Sequence, residues 1–474
     1  MRLYNTLGRQ VQDFTPLKPD VVSLYTCGPT VYDYAQIGNL RAYVFTDTLR
    51  RALALAGYQV KHVMNITDVG HLISDDDEGE DKLEKGAFRE HKTVWEVADM
   101  YIQAFLEDTK QLNILPPNNY HGAHGVYARA TDFIPQQLNL INILVDRGFA
   151  YQTQQAIYFD VAKLDDYGKL TGQKLNDKEV GARGEVISDP DKRNPQDFAL
   201  WFFNIGRFEN HSMSWPSPWG EGFPGWHLEC SAIIHATLGE PIDIHTGGVD
   251  HIGTHHTNEI AQTQAAYGVD LAKYWVHNEH LLVDGQKMSK SRGNYLLLKD
   301  LSDKAYDPLA LRLLFLQSHY RSQTNFTFEA LDGAQVFLKR LQAWADLKHQ
   351  ASQAPSPSLK QTYSETLTKI KTAVLDDLNT AEALASLSGL ASQSDEHGFN
   401  AKAIQEILDE LDKIFGLDLA NRGDITLEAK DLIASRETAR EATAWAKADQ
   451  IRQQLIDMGL DVRDTVSGTL WSRL

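Results

Sequence analysis

The stretch "VVSLYTCGPTVYDYAQIGNLRAYVFTDTLRRALALAGYQVKHVMNIT", residues 21–67, contains a complete strand–helix–strand pattern. Its opening run is rich in β-branched and aromatic residues, which is typical of a buried strand. A helical pattern from about Leu40 closes at Gly57, and residues 60–67 form a second strand pattern. Strand, glycine-containing turn, helix and strand make a βαβ unit. We therefore predict an α/β fold with a parallel sheet, in which the helix N-terminus offers a place for phosphate.

The rest of the chain extends this unit on its C-terminal side. Helical periodicity over roughly 93–148 and a strand pattern at 157–162 indicate an insertion between two halves of the sheet. Strand character returns at 241–248 and 274–284, and almost everything beyond Pro308 is helical. A final charged helix is predicted at about 427–459, followed by a short tail. The predicted segment boundaries are 1–112, 113–225, 226–307, 308–420 and 421–474.

Composition limits the classes of protein that fit. The 474 residues carry a net charge of −18, which argues against a general phosphate-binding protein, because nonspecific affinity for nucleic acid comes from Lys and Arg. No stretch approaches 18 unbroken apolar residues, and the N-terminus lacks the apolar core of a signal peptide. Two cysteines cannot form a disulfide framework. We expect a cytoplasmic protein, in which the acidic run at 74–81 is a solvated loop.

A candidate metal site combines residues that are distant in sequence. His255 and Glu259 are four residues apart at the start of a predicted helix, so they share one face. Cys27 ends one predicted strand, and Cys230 shortly precedes another. Together the four form a Cys₂HisGlu set that is chemically suited to zinc. The alternatives are a surface His–Glu pair and two buried cysteines that act as small hydrophobic residues.

A candidate nucleotide site combines a glycine turn with a lysine-rich motif. In "QIGN", residues 36–39, Gly38 removes a Cβ where a nucleotide could press against the backbone. The motif "KMSKS", residues 287–291, supplies Lys287 and Lys290, which could contact a triphosphate and stabilise the charge on departing pyrophosphate. The alternative interpretation of this motif is an exposed basic turn.

The glycine turn together with the distant "KMSKS" resembles the class I aminoacyl-tRNA synthetases. Several further motifs are similar to those of the cysteinyl-tRNA synthetase family: "CGPTVYDYAQIGN" (27–39), "NITDV" (65–69), "KRNPQDFALW" (192–201), "SWPSPWG" (214–220), "PGWHLECSA" (224–232), "GGVDHIGTHHTNEIAQ" (247–262) and "SHYRSQ" (318–323). The resemblance covers nearly the whole chain, including the helix at 440–455 and the "GTLW" tail.

This resemblance implies a Rossmann-like, parallel-sheet catalytic domain with an inserted connective domain, followed by an all-α anticodon-binding region. The halves of the catalytic domain are 1–112 and 226–307, the insertion is 113–225, the helical stem and bundle are 308–420, and a small anticodon-binding module is 421–474. The implied activity is ATP-dependent activation of L-cysteine and its transfer to tRNA(Cys). Zinc would select the cysteine sulfur as a thiolate, which a serine hydroxyl cannot match.

The resemblance also implies a role for individual residues. The zinc ligands, for one ion per subunit, are Cys27, Cys230, His255 and Glu259. The ATP site, which takes ATP with Mg²⁺, comprises Gln36, Gly38, Asn39, Lys287 and Lys290. The cysteine pocket comprises Thr67, Trp226 and Asp250. Candidate anticodon contacts are Arg440 and Trp445, which offer a cation and a stacking face. The expected partners are tRNA(Cys), L-cysteine and ATP, without a membrane, and the expected state is a monomer.

Two departures from the family pattern leave alternatives open. Gln36 stands where the family normally has His, so a neutral amide replaces a charge-assisted donor. The sequence at 70–87, which contains the acidic run, replaces the usual segment after "NITDV". A catalytically silent tRNA-binding paralogue is one alternative, supported by Gln36 alone. The other is a mycothiol-pathway cysteine ligase, which resembles only the catalytic portion and lacks the terminal helical module.

Overall fold

A computed structural model describes residues 1–69, 82–172, 189–289, 292–350, 357–397, 399–465 and 468–474. The acidic run at 74–81 and Lys290 therefore lie outside the described residues. The chain divides into two compact units. The first unit is Met1–Lys304 with Tyr320–Phe326, and the second is Ala305–His319 with Thr327–Leu474. Within the described ranges, every helix is too short or too polar to cross a membrane.

The first unit holds fourteen strands and seven helices among its described residues. The strands are β1 Arg2–Asn5, β2 Gln10–Asp13, β3 Val21–Thr26, β4 Gln59–Ile66, β5 Ala128–Arg129, β6 Ala150–Gln152, β7 Ala156–Phe159, β8 Phe198–Phe203, β9 Gly222–Pro224, β10 Ile242–Gly248, β11 Ala272–Asn278, β12 Leu281–Val283, β13 Gln286–Lys287 and β14 Thr324–Phe326. The helices are α1 Ile37–Leu55, α2 Lys82–Glu90, α3 Val94–Gln111, α4 Ile134–Asp146, α5 Trp226–Thr237, α6 His255–Tyr267 and α7 Leu298–Ser302.

The central element is a five-stranded parallel sheet in the order β11-β10-β3-β4-β5. The unit β3–α1–β4 confirms the βαβ prediction. Helix α1 begins three residues before the predicted Leu40, at Ile37, because Asn39 closes its first turn: the Asn39 Oδ1 accepts from the Gln36 backbone N–H at 3.1 Å. Parallel strands place their carboxyl ends at one edge of the sheet, which is where ligands bind in this fold class.

The insertion is built on a separate antiparallel sheet in the order β6-β7-β8-β9. All six residues of β8 are buried, which explains its unbroken apolar sequence "FALWFF". The expectation of helix throughout 93–148 was wrong for 113–127, which lies between α3 and α4 and contains no helix. The sequence "PPNN" followed by two nearby glycines breaks the helical pattern there.

The second unit is mainly helical. Its helices are α8 Pro308–Leu316, α9 Phe328–Asp346, α10 Pro357–Leu375, α11 Thr380–His397, α12 Ala401–Phe415, α13 Leu427–Glu441 and α14 Trp445–Asp457, and its strands are β15 Leu460–Thr465 and β16 Gly468–Arg473. The single helix predicted at 427–459 is two helices, because the backbone turns at Thr443, where φ is 54°. The tail is an antiparallel hairpin whose Val462 and Trp471 pack into the α13–α14 core, so this region is not all-α.

Candidate active site and metal centre

A cavity of about 650 Å³ lies within the first unit, near the carboxyl ends of β3 and β10. Strand β3 delivers Cys27 to its wall, and the N-terminal turn of α1 delivers Gln36, Gly38 and Asn39. Cavity-lining residues from other elements include Trp226 at the start of α5, together with Gly248, Asp250, Lys287 and Met288. The parallel sheet thus brings most of the predicted nucleotide and amino-acid residues to one space: Gln36, Gly38, Asn39, Lys287, Trp226 and Asp250.

The four predicted zinc ligands form one cluster. The ligand atoms of Cys27, Cys230, His255 and Glu259 all lie within 4.8 Å of one another, and all four residues are buried. His255 and Glu259 lie one turn apart on α6, and their Nε2 and Oε1 atoms are 2.7 Å apart. Two sulfurs, one imidazole and one carboxylate are the donors that zinc favours. The residues present therefore fit a bound metal ion.

Three further histidines, His245, His256 and His277, lie beside this cluster. The second oxygen of Glu259, Oε2, lies 2.6 Å from the His245 Nε2. The His256 imidazole lies 3.4 Å from the Cys27 Sγ through Nε2, and 2.8 Å from the His277 Nε2 through Nδ1. A second grouping with metal-binding geometry thus exists, in which His245 and His256 replace Cys230 and His255. Both groupings share Cys27 and Glu259.

Sequence reasoning missed His245 and His256. The available signals were weak: His245 is the only ionisable side chain in the last five residues of β10, and His256 stands beside a predicted ligand in "HHTNE". Neither position has a spacing that indicates a ligand by itself.

Burial and neighbouring charges shift the pKa values of the residues in this cluster. Burial opposes the charge on Glu259, but the imidazoles of His245 and His255 overcome it and lower the pKa of this carboxyl. Burial likewise opposes the charge on His255, yet Glu259 and Cys230 raise its pKa to about 10. Burial raises the pKa of the Cys27 thiol, and the hydrogen bond to Cys230 adds to the rise. The surroundings therefore favour the ionised form of Glu259 and make the Cys27 thiol a weaker acid than a free cysteine.

The predicted cysteine pocket is only partly assembled around the cavity. Trp226 lines it and stacks on the His255 ring, with centroids 4.3 Å apart and planes at 28°. Asp250 also lines it, with 59% of its side chain exposed. Thr67 is buried and is not among the lining residues. Its hydroxyl donates to the Glu229 Oε2 at 2.6 Å and accepts from the Asn65 amide at 3.1 Å.

The described part of the "KMSKS" loop packs against the start of α1. A Cβ built on Gly38 would lie 2.7 Å from the Met288 Cε, so a side chain at position 38 would have to displace the flexible end of Met288. The Tyr295 hydroxyl donates to the Tyr34 carbonyl at 2.7 Å. Lys287 lines the cavity. Gly38 thus lies against Met288 of this loop, and its contact with a nucleotide stays a prediction.

The two candidate anticodon residues contact each other in the second unit. The Arg440 guanidinium carbon lies 5.6 Å from the centroid of the Trp445 ring, and its Nη1 lies 3.0 Å from the Asp464 Oδ2. Trp445 is 56% exposed. A cation beside an exposed indole is a suitable surface for an unstacked base.

Comparison with known proteins gives a consistent family. The family described as "tRNA synthetases class I (C) catalytic domain" matches residues 13–336, and "Cysteinyl-tRNA ligase anticodon binding domain" matches residues 422–471. The Treponema denticola protein named cysteine–tRNA ligase is 40% identical, with all of both chains covered. The Burkholderia lata protein named cysteine–tRNA ligase 1 is 42% identical over 99% of this chain and 96% of its own length.

Solved structures confirm the fold at low sequence identity. The Agrobacterium radiobacter K84 agnB2 LeuRS, solved in a ternary complex with tRNA and LeuAMS, aligns with a TM-score of 0.60 at 12% identity, covering 87% of each chain. Mycobacterium tuberculosis methionyl-tRNA synthetase, in complex with methionyl-adenylate, aligns with a TM-score of 0.55 at 13% identity, covering 85% of this chain and 89% of that one. Together, the two family matches, the full-length relatives and the parallel-sheet fold show that this chain belongs to the cysteine–tRNA ligase family of class I aminoacyl-tRNA synthetases.

Proposed function

We propose that this protein is the ligase that activates L-cysteine with ATP and esterifies tRNA(Cys) with it. The observation that carries this function is the cluster of Cys27, Cys230, His255 and Glu259 beside the cavity that the glycine turn also lines. The metal cluster, which would recognise a thiol, and the glycine turn, which suits a nucleotide, thus lie beside the same cavity. Family membership over the full length of the chain supports the same activity.

The first step joins cysteine to adenylate. The cysteine carboxylate attacks the α-phosphate of ATP, the bond to the β-phosphate breaks, and pyrophosphate leaves. The N–H groups and the dipole at the start of α1 favour the phosphate charge, and Lys287 and Lys290 supply cations for the leaving pyrophosphate, with Mg²⁺ on the phosphates. Gln36 donates a neutral hydrogen bond in the same region. No side chain acts as a nucleophile, so positioning and charge stabilisation provide the rate.

The second step transfers cysteine to RNA. A hydroxyl of the terminal ribose of tRNA attacks the carbonyl of the adenylate, and AMP leaves with the bonding electrons. The tRNA is held at its other end through the second unit, where Arg440 and Trp445 offer a cation and a stacking surface to anticodon bases. We propose that the enzyme acts as a monomer.

Selection of cysteine rests on the buried cluster. Cys27, Cys230, His255 and Glu259 would hold one zinc ion, and His245 keeps the Glu259 carboxylate oriented through its second oxygen. Zinc bound there would accept the substrate sulfur as an added ligand and favour it over a serine hydroxyl. Pocket shape alone distinguishes such near-isosteres only modestly.

The remaining pocket residues suit the ammonium group of the substrate. Thr67 is buried outside the cavity lining, and its hydroxyl links the Asn65 amide to Glu229. Asp250 adds a carboxylate at the cavity wall, and Trp226 closes the apolar side beside His255. The Asp250 carboxylate thus suits the ammonium group of cysteine, and the metal ligands suit its sulfur.

The test is cysteine-dependent exchange of pyrophosphate with ATP by zinc-loaded enzyme, followed by charging of tRNA(Cys). We expect exchange with cysteine, at least about a hundredfold less with serine, and ester-linked cysteine on the RNA. Absence of exchange would point to a silent tRNA-binding protein and overturn the proposal. Exchange without charging of any tRNA would point to a ligase for a small amine and overturn the second step.

A further inference from the structure

A helix beside the cavity carries an exposed aromatic side chain that the proposed chemistry does not use. Phe88 on α2 is 84% exposed, the highest fraction among the large apolar residues that the structure describes. Helix α2 is nevertheless well anchored: Leu83 and Ala87 are buried, and the Glu84 Oε1 accepts from the Ser212 backbone N–H at 2.7 Å. The ring is therefore held outward by a packed helix.

Basic residues flank this ring. Lys85 and Arg89 lie one turn apart on α2, are exposed, and both line the cavity. The Arg89 Nη2 donates to the Tyr101 hydroxyl at 2.6 Å, which fixes the guanidinium at the cavity edge. Residues 82–92, "KLEKGAFREHK", contain four Lys or Arg against two Glu, in a chain whose net charge is −18. Six acidic residues precede this segment at 75–81, and the Arg89 Nε pairs with the Glu90 Oε1 at 2.9 Å, so the positive charge offered to phosphate is that of Lys85 and Arg89 at the cavity edge.

A second exposed aromatic residue lies at the start of the next helix. Trp95, at the start of α3, is 46% exposed and meets the Trp215 ring edge to face, with centroids 6.3 Å apart. Helix α2 also lies close to the cavity-lining loop between β3 and α1, since a Cβ on Gly86 would be 3.4 Å from the Tyr32 carbonyl oxygen. Lys85 and Arg89 line the cavity, and together with the exposed Phe88 and Trp95 they define what is here called the α2 face.

We propose that the α2 face binds the unpaired 3′ end of the tRNA and guides it into the cavity. The inference rests on the proposed function, because only tRNA charging requires a single RNA strand to reach this cavity. Interleaved aromatic and basic side chains are the surface on which single-stranded nucleic acid stacks and places its phosphates. Phe88 provides the stacking plane, Lys85 and Arg89 provide the charge, and the ribose of the last nucleotide then reaches the adenylate.

The test compares two forms of tRNA(Cys), with the unpaired 3′ end intact or removed. We expect Phe88→Ala to weaken binding of the intact RNA by about tenfold and to leave binding of the shortened RNA as in the wild type. Phe88→Tyr keeps the stacking plane and should restore the affinity, whereas Phe88→Leu keeps apolar area without the plane and should not. The matched control is Val336→Ala, at a 68% exposed apolar position on α9, which should affect neither RNA.

Two results would overturn the inference: equal weakening of both RNAs by Phe88→Ala, or no weakening of either. Charging provides a second measurement, in which the tRNA kcat/KM of Phe88→Ala falls about tenfold relative to the exchange rate of the same variant. If the wild-type enzyme charges tRNA(Cys) but Phe88→Ala charges it equally well, only the α2 face is wrong. If the wild-type enzyme charges no tRNA, the proposed function itself fails.

Discussion

At the scale of single residues, Glu259 is the side chain on which the buried cluster depends. Its two carboxylate oxygens lie 2.7 and 2.6 Å from the imidazoles of His255 and His245. A buried charge is tolerated only when it is paired or bound to a metal, and removing one partner leaves the others unsatisfied. Spacing on α6 predicted Glu259 as a ligand, but its second partner became visible only in the folded structure.

Glu259→Gln should abolish stoichiometric zinc. The amide is a weaker ligand than the carboxylate and leaves both imidazoles without an anion, so we expect zinc affinity to fall at least about a hundredfold. Competition with a chromogenic chelator measures this affinity without reference to activity. The matched control is Glu229→Gln, which changes a buried carboxyl on α5 outside both metal-binding groupings and should keep zinc bound. Equal zinc affinity in wild type and Glu259→Gln would contradict the proposed ligand set.

Gln36→His should make adenylate formation faster. The imidazolium donates a charge-assisted hydrogen bond to the phosphate as its charge develops, whereas the native amide donates a neutral one. We expect kcat for pyrophosphate exchange to rise about tenfold, which corresponds to about 1.4 kcal/mol. The comparison variant is Gln36→Ala, which removes the donor and should lower kcat. A Gln36→His enzyme no faster than the wild type would mean that the surrounding residues already compensate for the amide.

At the scale of elements, periodic patterns predicted those parts of the fold in which one face is buried. Strand β3, helix α1 and strand β4 lie close to their predicted bounds because their apolar residues recur at the periods of strand and helix. The break between α13 and α14 was not predictable, since Thr443 adopts positive φ without a glycine or proline signal. The hairpin of β15 and β16 was equally hidden, because each of its strands has only two buried residues, which is too few to form a period.

The same limit applies to the site: only residues close together on one element leave a pattern in the sequence. Ligands one helical turn apart, such as His255 and Glu259, leave a spacing signal in the sequence. The hydrogen bond from Thr67 to Glu229 joins β4 to α5 across 162 positions, and no periodicity indicates such a contact. Polar partners brought together by the sheet therefore require the structure, whereas partners on one helix do not.

Gly28→Ala should destabilise the first unit strongly. A Cβ at this position would lie 1.7 Å from the Asn65 carbonyl oxygen, and backbone at the ends of two paired strands cannot move away. We expect the free energy of unfolding to fall by about 3 kcal/mol or more. Urea denaturation followed by tryptophan fluorescence measures the change.

Gly253→Ala is the matched control, because a Cβ there meets nothing within 4 Å. Its free energy of unfolding should stay within about 0.5 kcal/mol of the wild type. Similar losses in the two variants would mean that glycine itself, rather than the clash with Asn65, determines the stability.

At the scale of the whole molecule, strong negative charge and buried neutral histidines set the response to pH. The net charge of −18 confines any RNA contact to local basic surfaces and makes nonspecific binding weak. Several histidines are buried in the first unit, among them His62, His256 and His277. Burial is the main cause that lowers the pKa of each of these three histidines, and nearby positive charge is the second. The folded chain therefore resists taking up protons that the unfolded chain accepts readily.

Acidification should therefore destabilise the wild type more than His62→Gln, which keeps a hydrogen-bonding side chain beside Thr26. Burial lowers the pKa of His62 from 6.5 to about 3, and the charge of Arg50 is the second cause of this shift. Between these values the unfolded state binds more protons, so the contribution of His62 is complete above pH 6.5 and is lost as the pH falls. From pH 7 to 5 the loss is about 2 kcal/mol.

Urea denaturation of both proteins at several pH values measures this contribution as a difference between two curves. The subtraction cancels the other titrating groups, including Asp68, whose pKa is raised by burial to about 6 and which acts in the opposite direction. The two free energies of unfolding should converge or cross in favour of His62→Gln as the pH drops. Parallel curves from pH 7 to 5 would show that His62 takes up its proton in the folded state, and that the buried histidines do not set the acid limit of this fold.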